Sequence, residues 1–133
     1  KGKWLYFACA PGAEWMRFRI PHWERFAGAA IRSVIGSRCQ IVTNAPPTMQ
    51  IELRRQRARI VIHLINNTGD NEFPLGSVIP VSTFSLSVRS KEPKSAVFDD
   101  ETRIPFSYQD GMVTLSIDMI KQYRLVVLSG FVR

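Results

Sequence analysis

Three groups of side chains in this 133-residue chain are of types that do chemistry: the acidic triplet Asp99-Asp100-Glu101, the thiols and imidazoles Cys9, His22, Cys39 and His63, and the basic run Arg54-Arg55-Gln56-Arg57-Ala58-Arg59. Paired carboxylates can cleave a glycosidic bond when they flank it a few ångströms apart. Adjacent carboxylates on a strand alternate faces, and on a loop they are solvated, so a solvated acidic loop is expected and a catalytic dyad is not. A weak calcium site is the lesser alternative, because loop oxygens are what calcium uses. The Cys and His residues show no C-x-x-C or H-x-x-x-H spacing, and no Walker loop, G-x-S-x-G elbow or dinucleotide fingerprint is present. No metal site, cofactor or catalytic residue is therefore expected. His63, between Val61 and Ile65, is expected to be a core histidine that ties the Asn66–Thr68 loop to its sheet. The arginine run lies between two alternating segments, as a hairpin tip would; a nucleic-acid reading is disfavoured because no aromatic residue interleaves the arginines to stack bases.

The aromatic residues are unevenly placed. Trp4, Tyr6, Phe7, Trp15, Phe18, Trp23 and Phe26, seven from a total of 8 Phe, 3 Trp and 3 Tyr, fall among Arg17, Arg19 and Arg25 in the first 26 positions. Trp and Arg dominate interface hot spots. The competing readings are a local core and ring stacking on carbohydrate. Interdomain packing is preferred, with Trp4, Trp15, Arg17, Trp23, Arg25, Ile31, Val34 and Ile35 as the expected interface. Phe73 and Tyr108 are the loop aromatics that would stack on sugar if the chain were a carbohydrate-binding module.

The elements that must position these residues change character along the chain. Trp4–Ala8 reads as a short buried strand, broken at Ala10-Pro11-Gly12. Pro21 opens a helix whose Phe26, Ala27, Ala30, Ile31, Val34 and Ile35 form one apolar stripe, and Gly36 is placed to end it. Asn44-Ala45-Pro46-Pro47 is a stiff connector. Beyond it the period becomes two: Met49/Ile51/Leu53, Ile60/Ile62/Leu64, Phe84/Leu86/Val88 and Val113/Leu115/Ile117 alternate with other residues, Leu125–Leu128 is a last apolar run, and Gln109-Asp110-Gly111 signals a hairpin. The 66–80 segment is a long loop between sheets. The fold expected is mainly β: an antiparallel β-sandwich over residues 48–133, preceded by a short incomplete α/β (strand-helix) segment over 1–43.

Residues 1–59 carry 11 basic and 3 acidic side chains, and residues 60–133 carry 7 and 8, for a net +7. The excess of positive charge admits nucleic acid, an anionic surface or an acidic protein as partner and does not choose among them. No apolar stretch reaches the ~18–20 residues that span a bilayer, so no membrane partner is expected. Two cysteines allow one disulfide at most and fit a reducing compartment, so a cytoplasmic location is favoured.

Several segments together suggest a family. Lys3-Trp4-Leu5-Tyr6-Phe7, the helix through Ala30-Ile31, Asn44-Ala45-Pro46-Pro47, Ile60-Val61-Ile62-His63-Leu64-Ile65-Asn66-Asn67-Thr68-Gly69, Ile79-Pro80-Val81 and Tyr123-Arg124-Leu125-Val126-Val127-Leu128 resemble the C-terminal end of bacterial β-galactosidase-like glycoside hydrolases. In that group a catalytic (β/α) barrel is followed by an amidotransferase-like α/β (trimerisation) domain and then by a β-sandwich. The resemblance implies that residues 1–43 are the terminal strand-helix-strand piece of that α/β domain. It also implies that the family's catalytic glutamates, which lie in the barrel, have no counterpart here. With a first residue that is Lys rather than Met, the expectation is a non-catalytic C-terminal segment, not an enzyme by itself, whose partners are the rest of a parent polypeptide or a second subunit. A carbohydrate-binding sandwich and a small basic nucleic-acid binder are the alternatives.

Overall fold

The computed structural model describes residues 3–8, 10–18, 21–69 and 78–131. The chain divides into two compact units, Lys1–Cys39 and Gln40–Arg133.

The first unit is helical. Helix α1 spans Pro11–Phe18 and α2 spans Pro21–Ile35. Pro11 does not end an element, as the Ala-Pro-Gly pattern predicted, but opens one. Proline costs nothing at a first helical position, where its missing N–H would have no partner in the helix, and Ala10 O accepts the first turn's bond from Glu14 N at 3.1 Å. Helix α2 starts at Pro21 and stops at Gly36, whose φ of +56° is the left-handed conformation expected of it. The half-buried side of α2 is Trp23, Ala27, Ala30 and Val34. Phe26, Ile31 and Ile35, which the predicted stripe included, are exposed. Trp4–Ala8 lies outside any strand; extended backbone becomes a strand only when a neighbour takes its hydrogen bonds.

The second unit is an antiparallel β-sandwich. Its strands are β1 (Ile41–Thr43), β2 (Met49–Gln56), β3 (Arg59–Asn66), β4 (Phe84–Arg89), β5 (Ser95–Phe98), β6 (Phe106–Gln109), β7 (Met112–Ile117) and β8 (Tyr123–Ser129). One sheet has the order β1-β4-β7-β6 and the other β2-β3-β8-β5. Among the strands of the described residues, only β2–β3 and β6–β7 are hairpins between sequence neighbours in one sheet; the other successive strands lie in opposite sheets. Strand β3 is central, as its two apolar faces predicted, with Ile60, Ile62 and Leu64 buried and the alternate residues half-buried. Leu86, Val88, Val113, Leu115, Ile117, Val126 and Leu128 join them in a single core drawn from both sheets. Its alternating rows match the period of two that strand geometry imposes. Asp110 and Gly111 both take positive φ, 52° and 75°, the pairing that a two-residue hairpin turn demands.

Two boundaries differ from expectation. Ile41–Thr43, placed by pattern in a 1–43 segment, is instead the edge strand beside β4, with Ile41 opposite Val88. The connector Asn44–Pro47 then lies within the sandwich unit, carrying the chain from one sheet to the other. Asn44 Oδ1 accepts a bond from Ser85 N at 2.7 Å, and Thr43 Oγ1 donates to Ser85 O at 2.7 Å. The sandwich therefore begins at Gln40 rather than at 48. Strand β5 had no legible alternation, being only four residues long.

Candidate functional site

Each sheet delivers a polar residue to one end of the sandwich on its inward face. On β2 the inward row is Met49, Ile51, Leu53 and then Arg55. The register confirms the face, because Arg55 stands opposite Ile60, which is buried. On β6 the row is Phe106 and Tyr108, and Tyr108 stands opposite the fully buried Val113. Directly opposed residues in an antiparallel pair share a face, so Arg55 and Tyr108 occupy core-facing positions where the two sheets end. Between them is a concave mouth of about 440 Å³, lined also by Arg57 of the β2–β3 turn, Arg59 at the start of β3, Arg89 at the end of β4 and Lys91 just beyond it. The strand ends that form this mouth are joined by backbone bonds. Arg89 N donates to Gln40 O at 2.9 Å and Ser90 N to Gly111 O at 3.1 Å.

The basic run is thus a hairpin tip, as its position predicted, but strand alternation splits it. Arg54 faces outward, 3.2 Å from Glu52 Oε2, while Arg55 turns into the mouth. Tyr108, read as a loop aromatic, is a strand residue 39% exposed. Phe73, its companion in that reading, lies outside the described residues.

The acidic loop after β5 is bound internally. Arg124 Nε donates to Asp99 Oδ1 at 2.8 Å, and its Nη2 lies 2.9 Å from Asp100 Oδ1, within ion-pair distance but not aligned for a hydrogen bond. The guanidinium also covers the Phe98 ring at 4.3 Å. Asp100 titrates below its ordinary 3.8, first because Thr102 donates to it through its hydroxyl and N–H, with Arg124 adding to this against some desolvation. Among the described residues no group of three or more His, Cys, Asp or Glu is placed to hold a metal ion.

His63 is not a core residue. It sits on the outer face of β3 with Nδ1 2.8 Å from the Tyr123 hydroxyl. The alternation puts Ile62 and Leu64 inward, so position 63 must face out. The tie between loop and sheet is Asn66 instead, 6% exposed, whose Nδ2 donates to Ile79 O at 2.8 Å and Lys121 O at 2.7 Å, with a longer approach of 3.3 Å to Ile120 O. Its Oδ1 accepts from Thr68 N at 3.0 Å. A polar residue in the inward phase of an apolar strand was the available signal.

In the helical unit, Trp15, Trp23 and Val34 are half-buried, and Trp4 (84% exposed), Ile31, Ile35, Arg17 and Arg25 face outward. Trp23 and Phe7 both pack edge-to-face on Phe26, at 5.8 and 5.4 Å between ring centroids, and Arg17 lies over Phe18 at 5.1 Å. No helix among the described residues is long and apolar enough to cross a membrane.

No protein-family model matches the sequence, and no curated protein matches it. Among solved structures the chain is similar to the α-L-fucosidase isoenzyme 2 from Paenibacillus thiaminolyticus, with a TM-score of 0.81 at 16% identity, over 90% of this chain and 19% of that one. The likeness is one of fold. The chain spans about a fifth of the length of that protein.

Proposed function

We propose that this chain is an accessory, non-catalytic β-sandwich segment of a glycoside hydrolase-like protein, and that its helical unit packs against the rest of that polypeptide or a second subunit. The observation that carries the reading is the fold likeness to a fifth of an α-L-fucosidase. The helical unit adds to it. Trp4, Tyr6, Met16, Phe18 and Ile31 are all at least half exposed, and α2 has no buried residue among those described. Apolar side chains gathered in this way on a small unit are a surface that wants cover. Binding energy in such a surface concentrates in Trp and Arg, which points to Trp4, Trp15, Trp23, Arg17 and Arg25, with Ile31, Val34 and Ile35 along the helix.

Sedimentation velocity together with acrylamide quenching of tryptophan fluorescence tests this reading. The isolated chain is expected to self-associate, and Ile31→Glu should shift it toward monomer. A chain that stays monomeric at high concentration with shielded tryptophans contradicts it. So does turnover of any aryl glycoside that a point substitution in this chain abolishes.

A further inference from the structure

We propose that the mouth between the two sheets is a binding site for an acidic saccharide, a sugar bearing carboxylate or sulfate groups. Five cationic side chains, Arg55, Arg57, Arg59, Arg89 and Lys91, line it, and no carboxylate among the described residues does. Arg54, which precedes Arg55 on β2, faces outward beside Glu52 instead. Convergence of like charges opposes folding, and an anion bound in the mouth relieves it. Guanidinium groups pair with carboxylate or sulfate oxygens through two parallel N–H donors, a geometry lysine alone lacks.

Tyr108 narrows the class. It offers an exposed ring and a hydroxyl at the same mouth, whereas Phe131, the other ring there, packs against the core. An amphipathic ring beside ionic donors suits a pyranose that has apolar C–H faces and a charged substituent. The volume, about 440 Å³, falls in the ~300–1,000 Å³ range of small-ligand sites. A nucleic-acid strand is recognised differently, by a groove that tracks its backbone and several rings that stack successive bases. The inference does not depend on the accessory reading above, because it rests on the lining of the mouth alone.

Calorimetric titration of the full chain tests it with four probes: hexagalacturonate, a chondroitin sulfate hexasaccharide, fully methyl-esterified hexagalacturonate, and a short DNA duplex. At least one acidic saccharide should bind, more weakly as salt rises, and the neutral ester should not. Which of the two binds tells carboxylate from sulfate. Arg55→Gln and Tyr108→Ala should each weaken binding about tenfold or more, whereas Arg54→Gln, outside the mouth, should leave it unchanged. Lys91→Gln, at an exposed position, gives the same reading if Tyr108→Ala fails to fold. Absence of binding to both acidic saccharides overturns the proposal, as does equal binding of the ester, duplex DNA binding as tightly, or equal losses from Arg54→Gln and Arg55→Gln.

Discussion

Replacing Asn66 by Ala should destabilise the sandwich more than any other single polar truncation on β3. The side chain is buried and uses both ends of its amide, donating to Ile79 O and Lys121 O and accepting from Thr68 N. Two of the groups it touches keep other partners: Ile79 O still accepts from Thr68 Oγ1 at 2.6 Å, and Ile120 O from Val81 N at 2.9 Å. Lys121 O and Thr68 N lose theirs. Stranding a buried donor or acceptor costs about 1–3 kcal/mol, so two of them, partly rehydrated at the loop's edge, come to roughly 2–4 kcal/mol. With a slope of about 1–1.5 kcal/mol per molar urea for a domain of this size, the midpoint should fall by roughly 2 M. The control is Asn67→Ala. Asn67 is exposed and its side chain makes a 3.3 Å bond to Gln50 Oε1, so its loss should stay within about 0.5 kcal/mol. The readout must be far-UV circular dichroism, because Trp4, Trp15 and Trp23, the three tryptophans of the chain, all lie in the helical unit. Equal midpoints for the two variants would refute the assignment of Asn66 as the loop's anchor.

Other consequences follow from the same geometry. Gly130 has a φ of +69° and a Cβ there would come within 2.9 Å of Lys94 Cβ, whereas at Gly111, with φ +75°, it would meet only Arg89 Nη1 at an ordinary 4.0 Å. Both alanine variants should be destabilised by the ~1–2 kcal/mol of left-handed strain that a Cβ introduces, and Gly130→Ala by more; urea midpoints in the reverse order contradict this. Because the folded pKa of Asp100 is depressed, the stabilisation it contributes is complete above its ordinary 3.8 and is lost as pH falls through the folded value. Thr102→Val should raise the carboxyl titration followed by NMR more than Arg124→Gln does, since the threonine is the larger cause; the opposite ranking would put the ion pair first. Leu115→Ala, which empties a fully buried position in the centre of its sheet, should cost about 2–5 kcal/mol by the same denaturation measurement.

What could be read along the chain was whatever depends on neighbours a few residues away. Ile60/Ile62/Leu64 and Val113/Leu115/Ile117 alternate because successive side chains of any strand point to opposite faces, and Asp110-Gly111 turns because its backbone tolerates positive φ. Pro21 and Gly36 bound α2 for equally local reasons. Pro11 misled because proline either stops an element or starts one, and only the bond from Glu14 N to Ala10 O distinguishes the two.

The rest was decided by which strands became neighbours. The three-residue β1 is a strand only because β4 offers it hydrogen-bonding partners, and Trp4–Ala8, without such partners, is not one. His63 and Asn66 differ by three positions, an odd number, so one faces outward and the other inward once β3 is packed between β2 and β8. The sequence of the chain shows an excess of arginine and a tyrosine, Tyr108, but not that they meet. Arg55, Arg89 and Tyr108 lie on three strands in two sheets. Their convergence is set by register and by the facing of the sheets, which are long-range properties that no local spacing encodes.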